Sequence, residues 1–327
     1  MNISTLYSSP IVGVARTTSF ERPDALLSFY DANAAERLSE FYVHYDTGGA
    51  RLALSRDALT AFVGCYKVHG LGAYEVSDGQ ELWRRKDLKA VQKVSALPFD
   101  DLVFCGREGP GHLLCSKTGR TVEKCKGVRA VYTSPFSKHV LLEAHSLEIH
   151  SQFGTRIGKI APTTFAVLDC SFSDAELVVT ESGGCVRCFD LGSLELLWQH
   201  TPRQGSHFLR LIFSQKLNRF VGIAWWYQKE TTPPMEIVHL DRRTGQVLRE
   251  IAIGSLAAGE FCLAGSMIFT LDFSLMDVKT GAIVREFPKS KFDETDEDEP
   301  QFPNWEERMR SGTPEQQELA RLLGPPS

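Results

Sequence analysis

A short phrase recurs seven times along the chain, and its spacing restricts the fold more than any other feature. The phrase is an apolar strand, a polar turn that usually holds glycine, and a second strand. Its copies are SFYDANAAERLSEF, AYEVSDGQELWRR, HLLCSKTGRTVEKC, LEIHSQFGTRIGKI, VRCFDLGSLELLWQ, IVHLDRRTGQVLRE and SLMDVKTGAIVREF. Anchored on the turn positions Ala35, Gly79, Gly119, Gly154, Leu194, Gly245 and Gly281, the intervals are 44, 40, 35, 40, 51 and 36 residues. Each turn needs one residue near left-handed geometry, which glycine reaches without a Cβ clash. Asp or Ser nearby can bond the turn backbone.

The stretches between the phrases also rhyme. ARLALSRDALTAFVGC, VRAVYTSPFSKHVLLEA, FAVLDCSFSDAELVVTE and FLRLIFSQKLNRFVGIA each read as two apolar strands around a polar turn. Each unit of about 40 residues therefore supplies four short strands, the size of a propeller blade. The expected fold class is all-β: a seven-bladed β-propeller of four-stranded antiparallel blades, plus a short C-terminal tail with one helix. Residues 1–287 form the propeller and 288–327 an acidic linker and terminal helix. The first blade, around residues 4–41, is the least regular. No strand exchange between the termini is evident to lock the ring. The tryptophans of Leu82-Trp83 and Leu197-Trp198 are placed to pack between blades.

The phrases SDGQELW, DRRTGQVL and DVKTGAIV resemble the Asp-x-x-Thr-Gly-x-x-Leu-Trp repeat of pyrroloquinoline-quinone-like propellers. Inner hairpins such as SFSDAELVVTES resemble those of WD repeats. The resemblance covers about residues 27–287 and implies architecture and a tendency to bind partners. The quinoprotein marks are missing: no two cysteines are adjacent, so no vicinal disulfide is available. The Gly-His and Trp-Asp marks of true WD repeats are missing too.

Composition narrows the function classes. A net charge of −5 argues against a nucleic-acid binder. No run of 18 apolar residues offers a membrane helix. The N-terminal MNISTLYSSPIVGVART has no basic start followed by an apolar stretch, so a cytoplasmic location is expected. Eight scattered cysteines then read as reduced thiols, mostly within apolar runs. Cys185 and Cys188, three apart on a strand, point to opposite faces, so no metal site is expected there. No phosphate loop, Gly-x-Ser-x-Gly, His-Glu-x-x-His or calcium loop is present. The expected protein has no catalytic residues, cofactor or metal. An enzyme with a site in the central channel, a lyase or hydrolase, is the alternative. A scaffold subunit of a larger complex is another.

Loops between the second and third strands of every blade share one end of a propeller with the inter-blade loops. His69, Arg107, Glu108, His145, Glu181 and Trp226 are expected to collect there. The 51-residue interval has a local cause, an insertion in RFVGIAWWYQKETTPPMEIVHL. It holds Trp225, Trp226, Tyr227 and Glu230 near its start. Trp225 and Trp226 must face opposite ways, so one is core and the other, with Tyr227, lies near the partner-binding end.

From Pro288 onward there are ten acidic and five basic residues, a net of −5 that equals the charge of the whole chain. Asp293, Glu294, Asp296, Glu297, Asp298 and Glu299 form its core, a solvated linker by composition. Thr313 and Gln316 fit a capping box with Pro314 at the first helical position. Leu319, Leu322 and Leu323 would form one apolar helix face, ended by Gly324 and Pro325. The expected function is a protein-binding propeller. One specific form is a bacterial immunity protein that binds and neutralises a basic toxin domain.

Overall fold

The structure is a computed structural model. It describes residues 2–287 except 6–9, 18–23, 45–49, 66–68, 98, 108, 135–136, 145, 152, 162–165, 183, 202–205, 227–234, 255–260, 265–266 and 271–273. The acidic stretch and the helix expected in 288–327 lie outside the described residues.

Seven four-stranded antiparallel sheets follow one another, each made of four consecutive strands. The blades span 2–44, 51–85, 91–125, 130–159, 167–200, 206–254 and 261–286. Each blade's first strand touches the first strands of its two neighbours, so these strands form the inner wall. The wall closes on itself, because the first strand of blade 7 (Phe261–Ala264) meets that of blade 1 (Asn2–Thr5). The irregular first blade is thus complete, with Asn2–Thr5 and Ile11–Thr17 as its inner strands.

All seven anchor residues have positive φ, from 54° at Ala35 to 94° at Gly154. Leu194 adopts 62° despite its branched side chain, at a cost that glycine would not carry. The turns are built alike. In five of them the anchor N–H donates to the carbonyl four residues back, as Gly245 does to Asp241 at 3.0 Å. The carboxylates of Asp31, Asp190, Asp241 and Asp277 accept the turn amides at 2.7–3.0 Å.

These bonds hold three carboxyls below the usual aspartate range. Backbone and side-chain donors of Ser193 act on Asp190, those of Thr244 on Asp241, and for Asp277 the donors of Thr280 outweigh an opposing desolvation. A folded-state pKa below the unfolded one stabilises the fold above the unfolded value. That contribution fades as pH falls through the lower, folded value. Melting temperature should therefore drop as pH falls below about 4. A variant with Asp190, Asp241 and Asp277 changed to Asn should show a shallower drop over that window, measured by calorimetry. An unchanged slope would count against the carboxylates.

The core is divided among the seven blade interfaces, with one buried apolar cluster at each. This explains why inner strands are apolar without alternation: both faces meet a neighbouring blade. All six residues of Glu176–Glu181 are buried, for example. Among the described residues, closure between blades 7 and 1 uses no shared sheet. It rests on packing of Val12, Val14, Tyr30 and Ala32 against Cys262, Phe269, Leu275 and Phe287.

A size rule operates where each outer strand meets the next blade's turn. Trp83 lies where a Cβ on Gly119 would come within 2.6 Å of it, and its indole N–H donates to the Ser116 carbonyl at 2.7 Å. Trp198 repeats this with Gly245, at 2.4 Å, and the Arg242 carbonyl, at 2.9 Å. Phe41 covers Gly79 and Ile251 covers Gly281. Between blades 4 and 5 the sizes are exchanged. Gly158 sits on the outer strand and Leu194 at the turn, with 2.4 Å between a Cβ on Gly158 and Leu194 Cδ1. Large therefore meets small at every one of these five contacts.

Candidate functional site

Second strands of the blades all finish at the same end of the ring, because every sheet has the same consecutive antiparallel order. Arg107 closes the second strand of blade 3, Glu181 that of blade 5 and Trp226 that of blade 6. His69 lies just beyond the second strand of blade 2 and is half-buried. The register of the blade 6 hairpin pairs Trp225 with His207 and Trp226 with Ser206. The third strand resumes at Met235, so the insertion 227–234 leaves from this end. Glu108, His145, Tyr227 and Glu230 lie outside the described residues, as do the side chains of Trp225 and Trp226.

Glu181 is not the surface residue the sequence led us to expect. It is 2% exposed, with its carboxylate 2.7 Å from Arg187 Nε on the adjacent strand. Burying either charge alone would be costly, and the pair neutralises both. The guanidinium also stacks on Phe189 at 5.3 Å. Glu181 thus serves the interior of blade 5. Sequence spacing could not show this, since the pairing depends on strand register.

None of the eight cysteines forms a disulfide, and six are buried. Burial pushes the Cys105 and Cys125 thiols up to about 12 and that of Cys170 well above its usual value, which keeps them protonated and inert. Cys188 is fully buried on the strand Val186–Asp190, whereas Cys185 precedes that strand and is half-buried. Among the described residues no three metal-binding side chains converge. No helix there is long and apolar enough to cross a membrane.

One polar group on the inner wall went unnoticed in the sequence. Lys93, on the first strand of blade 3, places its ammonium 4.6 Å from the ring centre of Tyr132 in blade 4. The Tyr132 hydroxyl donates to Glu143 at 2.9 Å. Burial first, then the acidic neighbours, push the Tyr132 phenol far above its usual range, so it stays a donor. Asp169, on the first strand of blade 5, is close enough to act on Tyr132 as well. The signal that could have exposed this group is its phase: each member sits at the inner wall or at the second strand's end.

No family model matches this chain, and no curated protein resembles it in sequence. Solved structures do resemble it in fold. A computationally designed protein, Ika8, aligns over 87% of this chain and 86% of its own at 17% identity, with a TM-score of 0.58. The Cps50 (Swd1) β-propeller domain of Myceliophteria thermophila covers 85% of this chain and 94% of its own at 14% identity and TM-score 0.59. BamB from Moraxella catarrhalis covers 84% and 79% at 12% identity and TM-score 0.53. A WD-repeat propeller and a quinone-type propeller thus share this architecture, as the two kinds of repeat in the sequence suggested. At such identities the likeness concerns the fold.

Proposed function

We propose that this chain is a non-catalytic propeller that binds a protein partner on the end where the second strands finish. The carrying observation is the blade 6 hairpin. Its second strand runs through Trp225 and Trp226 to that end, and the insertion emerges there. A propeller is a rigid base, and aromatic residues on an insertion above it are efficient anchors, since they bury much area at low entropy cost. Propellers of this architecture are compatible with protein binding in general.

Narrower forms of this reading remain proposals. A cytoplasmic inhibitor of a basic toxin domain would use Asp293, Glu294 and Asp296 to Glu299 for electrostatic steering. A scaffold subunit would use several blade edges at once. Affinity purification of the tagged full chain from its own cells tests the common element. A stoichiometric partner should be recovered, and Trp226→Ala or Tyr227→Ala should weaken its binding tenfold or more, about 1.4 kcal/mol. Full retention by both variants would remove the insertion from the interface. Deletion of residues 288–327 separates a tail-driven partner from one held by the ring.

The inner-wall group of Lys93, Tyr132, Glu143 and Asp169 favours a second reading, an enzyme of the central channel. It has a cation, a phenol donor and carboxylates within one short arc. This reading expects a small ligand to copurify and to be lost on Glu143→Gln.

A further inference from the structure

Blade 3 carries a partly buried cationic site at a position where blades 1 and 5 each pair a cation with a carboxylate. In blade 5, Val179 pairs with Arg187 across the second and third strands, and Glu181 follows two residues on. In blade 3, Cys105 pairs with His112, and Arg107 follows two residues on. Arg107 therefore holds the place of Glu181, and His112 that of Arg187. Blade 1 solves the same position differently. Its Arg16 lies 3.9 Å from Glu40, which also accepts the Ser28 hydroxyl at 2.7 Å.

The surroundings add positive charge. Lys124 on the outer strand pairs with His112, and its side chain is exposed. Arg85 comes from blade 2 with Asp87, which among the described residues is the acidic group acting on His112. The two oxygens of Asp87 are already taken by Arg85, at 2.7 and 2.8 Å. Two polar atoms are left over. Arg107 Nε and His112 Nδ1 are both buried and have no hydrogen-bond partner among the described residues, and His112 as a whole is 7% exposed. A buried guanidinium nitrogen without an acceptor is costly, so such a site favours an anion that supplies one.

We propose that Arg107, Lys124 and the Nδ1–H tautomer of His112 form a site for an oxyanion, a phosphate or carboxylate group, between blades 2 and 3. Arg107 contributes planar paired donors, and the exposed Lys124 gives the ion its route from solvent. The ion takes the structural place that the Glu181 carboxylate occupies in blade 5. The site stands independently of the protein-binding reading.

Two probes test it on the full chain: inorganic phosphate and acetate, each against chloride at equal ionic strength. The ring signals of His112 are followed by NMR with labelled histidine, and the melting temperature is recorded in parallel. A saturable shift of the His112 signals with a rise in its pKa is expected, because a bound anion offsets the Arg107, Lys124 and Arg85 charges facing it. A response to phosphate alone identifies a phosphate site, and a response to acetate a carboxylate site. Arg107→Glu supplies the missing carboxylate from the chain itself, so it should melt higher in chloride and lose the phosphate response. Lys124→Ala, at an exposed position, should keep the fold and weaken phosphate several-fold. A His112 signal unmoved by both ions, or moved equally in Arg107→Glu and Lys124→Ala, would overturn the proposal.

Discussion

Replacing Tyr30 with alanine should destabilise the propeller by about 3–5 kcal/mol, the range for emptying a large aromatic site in a packed core. Tyr30 is fully buried and forms one corner of an aromatic triangle. Its ring centre is 5.1 Å from Phe269 and 4.9 Å from Phe287, and those two are 5.5 Å apart. Tyr30 belongs to the first blade and its two partners to the last. Among the described residues no strand is shared between these blades, and this side-chain packing joins them. Losing it should act beyond the local cavity. Blades 1 and 7 should open before the rest, giving early amide exchange in strands Asp24–Asp31 and Ser274–Asp277. Urea unfolding followed by tryptophan fluorescence checks the magnitude through a lower midpoint. Phe287→Ala should behave alike, since it removes another corner of the same triangle. A loss below about 1 kcal/mol for both would mean that closure rests elsewhere.

The second large effect is expected at the contact of Trp198 with Gly245. Trp198→Ala should cost about 3–5 kcal/mol, because it empties the stack and leaves the Arg242 carbonyl without its indole donor. Gly245→Ala should be costly for two separate reasons. Its φ of 67° disfavours any Cβ, by about 1–2 kcal/mol, and that Cβ would lie 2.4 Å from the Trp198 ring. The two costs separate in the double variant. With the indole gone the clash vanishes and the backbone term stays, so Gly245→Ala should cost less in the Trp198→Ala background. Strict additivity of the two substitutions would show that the steric contact carries no weight. The exchanged pair of Gly158 and Leu194 offers the same logic in reverse, with the large side chain on the turn.

Much of the architecture was legible because it depends on local chemistry. A left-handed turn residue every 40 or so positions, with Asp or Thr bonding the turn amides, is a property of a few consecutive residues. Periodicity then extends it around the ring. Even the anchors without glycine, Ala35 and Leu194, could be placed by phase, although residue type alone would not have marked them. The site was less legible. Arg107, Glu181 and Trp226 could be assigned to one end of the ring, since strand order alone puts them there. Whether each side chain is free could not be read.

What the sequence by itself determined is therefore the repeat: seven units, four strands each, and the positions of their turns. Local backbone preference and hydrophobic phase are sufficient for that. Tertiary structure alone decided how the units meet. It packed the first blade on the last through Tyr30, Phe269 and Phe287, and exchanged large for small at Gly158 and Leu194. It buried Glu181 against Arg187, gathered Lys93 beside Tyr132, and left Arg107 Nε and His112 Nδ1 without a hydrogen-bond partner among the described residues. Each of these depends on residues about 25 or more positions apart, or on strand register. A one-residue slip in register would turn the same side chain to the opposite face.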